Sequence, residues 1–213
     1  MKKLLILGAG GQGKVVLDLA LTCEAWDEIS FLDGGKIGEE ILGYPVIGDL
    51  WDYEMFTEQY THAIVAVGNN ELRLKLTEEL LEVGYQVPIF IHPSAIVSQF
   101  SSIGAGTIVM PQAVINVSAE VGKACIVNTG VIIEHDCQVG NGVHLSPSAA
   151  LGGTVSVGDK SWVCLGAKVI NNITIGERVT VGAGAVVIDD IQDEVLVVGV
   201  PAKASKRQGK HEK

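Results

Sequence analysis

The sequence predicts an α/β domain over residues 1–92, an all-β parallel β-helix over residues 93–200, and a short basic tail at 201–213. Three observations carry this. Near the N-terminus a glycine-rich turn, "LGAGGQG", separates a short apolar strand from a helical pattern. From residue 95 to residue 190 an aliphatic side chain returns at every sixth position without a gap. Of 213 residues 47% are hydrophobic but only 5% aromatic, and glycine numbers 26, which suits a closely stacked repetitive core.

In the first domain "KLLIL" reads as a buried strand and "KVVLDLALT" as a helix. "EISFLD" and "HAIVAVG" are further strands, and "NELRLKLTEELLEVG" is an amphipathic helix stopped by Gly84. Strands alternating with helices imply a parallel sheet. Gly8, Gly10 and Gly13 form GxGxxG after a strand and before a helix, and Asp33 ends the next strand. Glycines at this spacing let backbone approach a diphosphate at a helix N-terminus, and the acid can accept ribose hydroxyls. The domain is therefore expected to be Rossmann-like, about half of a dinucleotide fold, and to hold a nucleotide or nucleotide sugar. The alternative is a tight turn with no ligand. NAD fits less well, because the chain has neither a second mononucleotide half nor a separate hydride-transfer domain. Gly68, Asn69 and Asn70 close a strand, where either a ligand or a helix N-cap would use them.

The second domain falls into hexapeptides, with Val97, Ile103, Val109 and onward to Val187 as their third residues. Neither a helix nor a strand has a period of six, whereas a coil with three short flat sides does. Each hexapeptide forms one side and sends an aliphatic side chain to the axis. Gly104, Gly122, Gly140, Gly158 and Gly176 recur once per coil. They mark a corner where backbone needs either freedom in φ or room for a close neighbour.

The formal charge is −10, and only the tail is basic on balance. No patch could track a phosphate backbone, so nucleic acid is not an expected partner. The tail is either a solvated terminus or an aid in holding a phosphorylated ligand. Cys23, Cys125, Cys137 and Cys164 form no CxxC pair and read as reduced, mostly buried thiols of a cytoplasmic protein. The opening apolar run is too short for a signal peptide, and no stretch is long enough to span a membrane.

"VIIEHDCQVG" keeps the six-residue beat through Ile133 and Val139 yet places Glu134, His135 and Asp136 in a row. Three ionisable residues on an apolar coil are costly unless they face a wet groove. Histidine suits general-base work near neutral pH, and a neighbouring carboxylate can fix its tautomer. His135 is thus the candidate base and Asp136 its partner. His144, nine residues on, is expected on the next side or corner, not far from His135. A metal set of His135, Cys137 and His144 is possible by residue type. Cys137, however, opens its hexapeptide at a small inward position and is expected to fill core, so no metal is expected.

The combination of "GAGGQG", Asp33, "VGNN", "IHPSAIVS", "NTGVIIEHDCQVG" and "VGVPAK" resembles the NeuD/PglD-type sugar acetyltransferases across nearly the whole chain. These include the N-acetyltransferase of UDP-bacillosamine synthesis, its perosamine and viosamine relatives, and sialic acid O-acetyltransferases. The resemblance implies a left-handed coil, where crossover rules alone favour a right-handed one. It also implies a homotrimer with acetyl-CoA in the groove between neighbouring prisms. It makes His135 the proton acceptor and Asp136 the carboxylate that raises its basicity. It places His144, Gly153 and Leu165 at acetyl-CoA, and Gly10, Gly11, Gln12, Asp33, Gly34 and Gly68 at the UDP sugar. Gln12 stands where a histidine is common, and Gly34 where the bacillosamine enzyme has a second Asp; both bear on nucleotide recognition. The implied function is acetyl-CoA-dependent N-acetylation of a UDP-4-amino-4,6-dideoxy sugar for a bacterial surface glycan or glycoprotein. The alternatives are O-acetylation of sialic acid, a GDP- or dTDP-amino-sugar acceptor, and a non-catalytic nucleotide-binding trimer.

Overall fold

The computed structural model describes residues 1–205; the end of the basic tail, 206–213, lies outside the described residues. The first domain is built from β1 (Lys3–Leu7), α1 (Gly11–Cys23), β2 (Glu28–Leu32), β3 (Glu40–Ile41), β4 (Tyr44–Gly48), β5 (His62–Val65) and α2 (Asn70–Glu82). Its sheet runs β3-β4-β2-β1-β5, parallel except for the β3–β4 pair. Alternation along β1 divides the core. Leu4 and Ile6 meet α1 through Val16, Leu17 and Ala20, while Leu5 and Leu7 meet α2 through Leu76 and Leu80. The β3–β4 hairpin was not legible in the sequence, because Gly43, Pro45 and Gly48 leave no run of strand formers there.

β6 (Phe90–Ile91), at the end of the first 92 residues, pairs with the β-helix, and sixteen two-residue strands six residues apart follow, from β7 (Ile96–Val97) to β22 (Val186–Val187). They stack into three parallel faces, one coil apart, as in Ile115↔Ile133↔Leu151↔Val169↔Val187. The first face contains β7, β10, β13, β16, β19 and β22, the second β8 through β20, and the third β6, β9, β12 and their successors. β23 (Leu196–Val198) and β24 (Lys203–Ala204) end the third face, so the start of the basic tail is strand.

From Thr107 to Val187 each hexapeptide buries two residues. Besides the third, the first points inward, as at Ala113, Val131, Cys137 and Val143. The two readings of the glycine column are now separable. Gly104, Gly122 and Gly158 have ordinary φ, but a side chain would meet backbone of the next coil at 2.6–2.8 Å. Room for a neighbour is what they supply. The left-handed conformation falls instead on the sixth residue of every hexapeptide from Gly106 to Gly184, at Gln112, Ser118, Ala124, Asp136, Ser148 and Thr154 among others.

The first domain docks on the third face and on the corner between the second and third. Ile108 and Ile126, turned outward on the third face, join the core around Leu4 and Ile6. Arg73 on α2 is 2% exposed and is fixed at the junction. Its Nε donates to Ala124 O at 2.8 Å, and its terminal nitrogens donate to Gly142 O at 2.8 Å, Asn70 Oδ1 at 2.8 Å, Val67 O at 3.2 Å and Gly68 O at 3.3 Å. Among the described residues no carboxylate balances it; oriented carbonyls of two successive corners and one strand end do so, and burial lowers its pKa to about 10.

Candidate active site

β13 (Ile132–Ile133) and β14 (Gln138–Val139) lie on the first and second faces, so Glu134, His135 and Asp136 form the corner between those faces. Asp136 is the left-handed sixth residue, with φ 59°. Asp adopts this conformation more readily than bulkier side chains. His135 Nδ1 lies 2.8 Å from Asp136 Oδ2, and the side chains are 52% and 58% exposed. With Nδ1–H donating to the carboxylate, Nε2 is the free acceptor. Gly153, one coil on, packs against the imidazole: a Cβ there would come within 2.6 Å of Nε2 and Cε1. The ring therefore has backbone on one side and solvent on the other. Gly152 N–H is used in the ladder, donating to Val169 O at 2.9 Å, whereas Gly153 N–H has no acceptor among the described residues. Glu134 accepts from Asn116 Nδ2 at 3.0 Å, a side chain one coil back.

His144 lies elsewhere. It opens β15 (His144–Leu145) on the third face, the one face that does not adjoin the His135 corner. The expected closeness of the two histidines within one chain is thus corrected: nine residues carry the coil past a whole side. His144 stacks on Trp162, directly across the register, with ring centroids 5.6 Å apart and planes 6° apart. Trp162 Nε1 in turn donates to Ser146 Oγ at 2.8 Å. Burial, and then the Arg73 charge, lower the His144 pKa to about 4. Leu165 sits at the corner between the third and first faces, 58% exposed. Cys137 is buried with its Sγ on Gly152 O at 3.1 Å, so it faces the core and not His135. Burial raises both its pKa and that of Cys164, the latter to about 11.

At the carboxyl edge of the sheet the glycines divide by task. Gly8 (φ 107°) makes the turn, and Gly13 packs on the Gly8 carbonyl and Phe31. Gly10, Gly11 and Gly68 face open space. α1 has no side-chain cap, which leaves its first N–H groups to an anion. Gln12 is half-buried beside them. Asp33 uses both oxygens on backbone, accepting from Ala9 N at 2.9 Å and Gly35 N at 3.1 Å. Lys36 Nζ donates to Ala9 O at 2.6 Å, which brings a cation to the glycine turn; the sequence reading missed it. Gly34 is backed by the carboxylate of Asp49. Asn69 caps α2 by accepting from Leu72 N at 2.9 Å, while Asn70 turns to the β-helix and donates to Lys160 O at 3.0 Å.

The family model described as the PglD N-terminal domain matches residues 3–80. The UDP-N-acetylbacillosamine N-acetyltransferase of Bacillus subtilis is 40% identical over 117 residues, a stretch that spans about half of each protein, 52% of this chain and 52% of that one. The acetyltransferase domain of PglB from Neisseria gonorrhoeae is 41% identical, with 96% of this chain and 100% of that one covered at a TM-score of 0.92. PerB from Caulobacter crescentus, solved with CoA and GDP-perosamine, is 40% identical over 96% of this chain and 97% of its own at a TM-score of 0.89. With its Rossmann-like α/β domain and left-handed parallel β-helix, the chain belongs to the PglB/PglD-type sugar acetyltransferases.

Proposed function

We propose that this chain transfers the acetyl group of acetyl-CoA to the amine of a nucleotide-linked amino sugar, a UDP-4-amino-4,6-dideoxy sugar of the bacillosamine type, in the bacterial cytoplasm. The observation that carries the proposal is the exposed corner where His135 is oriented by Asp136 and backed by the Gly153 backbone. His135 Nε2 takes a proton from the amine as nitrogen attacks the thioester carbonyl. The N–C bond forms, the C–S bond breaks, and the proton passes to the departing sulfur, giving the amide and CoA thiol. Asp136 stabilises the imidazolium. The Gly153 N–H is the donor available to the carbonyl oxygen as charge develops there. A covalent acyl-enzyme finds no support, since Cys137 is buried and Cys164 holds its proton.

The same geometry supports a homotrimer. Within one chain the first domain covers the third face, while His135 occupies the corner opposite that face. A sugar held by Gly10, Gly11, Gln12, Asp33, Gly34 and Gly68 reaches a His135 only if a neighbouring copy supplies it. The first face carries outward Ile96, Val114, Ile132, Ala150, Lys168 and Val186, with Ile96 67% exposed, a mostly apolar surface suited to a second prism. Acetyl-CoA then lies between prisms, against Gly153 of one copy and Leu165 of the next, with His144 at the N-terminal domain's edge of that groove.

The test is a thiol-release assay with acetyl-CoA against UDP-, GDP- and dTDP-amino sugars and sialic acid. Turnover of a UDP-4-amino sugar is expected. Release with sialic acid alone would replace N- by O-acetylation, and nucleotide binding with no release from any acceptor would make the trimer non-catalytic. Sedimentation reads the oligomer, and a stable monomer with full activity would sink the shared site.

A further inference from the structure

We infer that Arg73 and Asn70, in the first turn of α2, are positioning residues for the transfer step: together they fix the loop at Gly68 against the His144–Trp162 stack of the same chain. The inference rests on the acetyl-transfer reading above, in which Gly68 helps to hold the nucleotide sugar and His144 borders acetyl-CoA. Arg73 is buried, so it acts through these elements and not on a ligand.

α2 lies along the corner between the second and third faces, and the sequence of that corner accommodates it. The left-handed sixth residues there are Gly106, Ala124 and Gly142, followed by Lys160 and Arg178. A Cβ on Gly142 would meet Asn70 O at 3.1 Å and Leu74 Cβ at 3.2 Å, and one on Gly106 would meet Thr77 Cγ2 at 2.9 Å. Helix and corner touch where only small residues fit. The start of α2, and with it Gly68, therefore has a set height on the coil.

Arg73 locks that height. Its fork uses all five of its N–H donors, and four of the five oxygens that receive them are backbone carbonyls. Val67 O and Gly68 O belong to the loop. Ala124 O and Gly142 O belong to the coil, and Gly142 lies two residues before His144. Asn70 extends the tie. Its Oδ1 accepts from Arg73, and its Nδ2 donates to Lys160 O at 3.0 Å and Ser161 O at 3.3 Å. Ser161 O also accepts the His144 N–H at 3.0 Å, and Ser161 directly precedes Trp162. One connected set of hydrogen bonds runs from Gly68 O to the backbone that carries the stacked rings.

Stability is a weak reason for such a cluster, because a buried charge with its partners is often no better than well-packed apolar side chains. A planar fork instead sets directions. What it sets here is the separation of the amine held by the first domain from the thioester held beside the coil. A misplacement of about 1 Å between reacting groups costs on the order of 10² in rate.

The test combines steady-state kinetics of the full chain, on acetyl-CoA and a UDP-4-amino-4,6-dideoxy sugar, with separate titrations of UDP and of CoA. All are run at a temperature where circular dichroism shows each variant folded. Asn70→Ala should lower kcat about tenfold. Arg73→Lys, which keeps the charge and loses the fork, should lower it roughly ten- to hundredfold. The dissociation constants of UDP and CoA should each stay within about twofold of the wild type, since each half-site remains whole. The double variant should cost no more than Arg73→Lys alone, because the two side chains act as one unit. A lowered melting temperature with wild-type kcat in both variants would make the cluster structural only and overturn the inference. Weaker UDP binding at unchanged kcat would overturn it too, by making the pair part of the nucleotide site. In both cases the acetyl-transfer reading stands. A wild type that releases no thiol with any amino sugar overturns that reading, and the inference with it.

Discussion

The two histidines of the β-helix sit in regions built to opposite ends. The corner between the first and second faces leaves His135 half in solvent, pairs it with Asp136, and clears a side of its ring by placing Gly153 next to it. The third face stacks His144 on Trp162 beside the docked first domain, where burial and Arg73 depress its pKa to about 4. The same side chain is thus available for proton transfer in one place and held neutral in the other. The difference teaches that the coil decides the chemistry of a residue through the side or corner on which it falls. Changes at the corner should alter activity and leave stability alone, whereas changes at the docking face should alter stability.

The largest expected effect is at the corner. His135→Ala should lower kcat by on the order of 10²–10⁴, with an unchanged melting temperature and oligomer. A variant that keeps the wild-type rate would remove His135 from the mechanism. The counterpart at the junction is Arg73→Ala, which orphans carbonyls of both domains around a cavity. Urea unfolding should show a loss of roughly 3–5 kcal/mol, concentrated in the first domain. Equal stability of the two proteins would mean that the domains dock without this side chain.

Asp136→Asn should cost about ten- to hundredfold in kcat with little change in KM, because it keeps the shape but weakens a hydrogen bond to a developing cation. A rise in KM alone would make Asp136 a binding residue. The smallest effect concerns His144. Its folded pKa, about 4, lies below the ordinary 6.5, so the unfolded chain binds its proton more readily. The stabilisation is present above about pH 6.5 and is lost as pH falls toward about 4. Between pH 7 and pH 5 the wild type should lose about 2 kcal/mol through this group. His144→Gln should show a shallower acid dependence, and an identical slope would mean that His144 does not carry it.

Several of these features could not be seen in the sequence for definite reasons. A buried Arg73 looks like any surface cation on an amphipathic helix, since hydrophobic pattern alone says nothing about carbonyls arriving from residues 124 and 142. Asp49 follows a strand interrupted by Pro45 and Gly48, so neither the strand nor its end was recognisable. The left-handed sixth position was hidden because Gln112, Ala124 and Lys160 occupy it as well as glycines; hydrogen bonds between coils hold that conformation against local preference.

By itself the sequence determined the two classes of domain, the six-residue beat and the corner on which Glu134, His135 and Asp136 stand. Period and turn residues are local properties, and a coil that repeats every eighteen residues converts them directly into a position on the prism. Only the tertiary structure decided which face the first domain covers, and hence that His144 is half-buried against Trp162 while His135 is open. It alone showed that Asp33 holds the backbone of Ala9 and Gly35 with its two carboxylate oxygens. These outcomes depend on which distant surfaces meet, and desolvation and hydrogen-bond partners are settled only once they do.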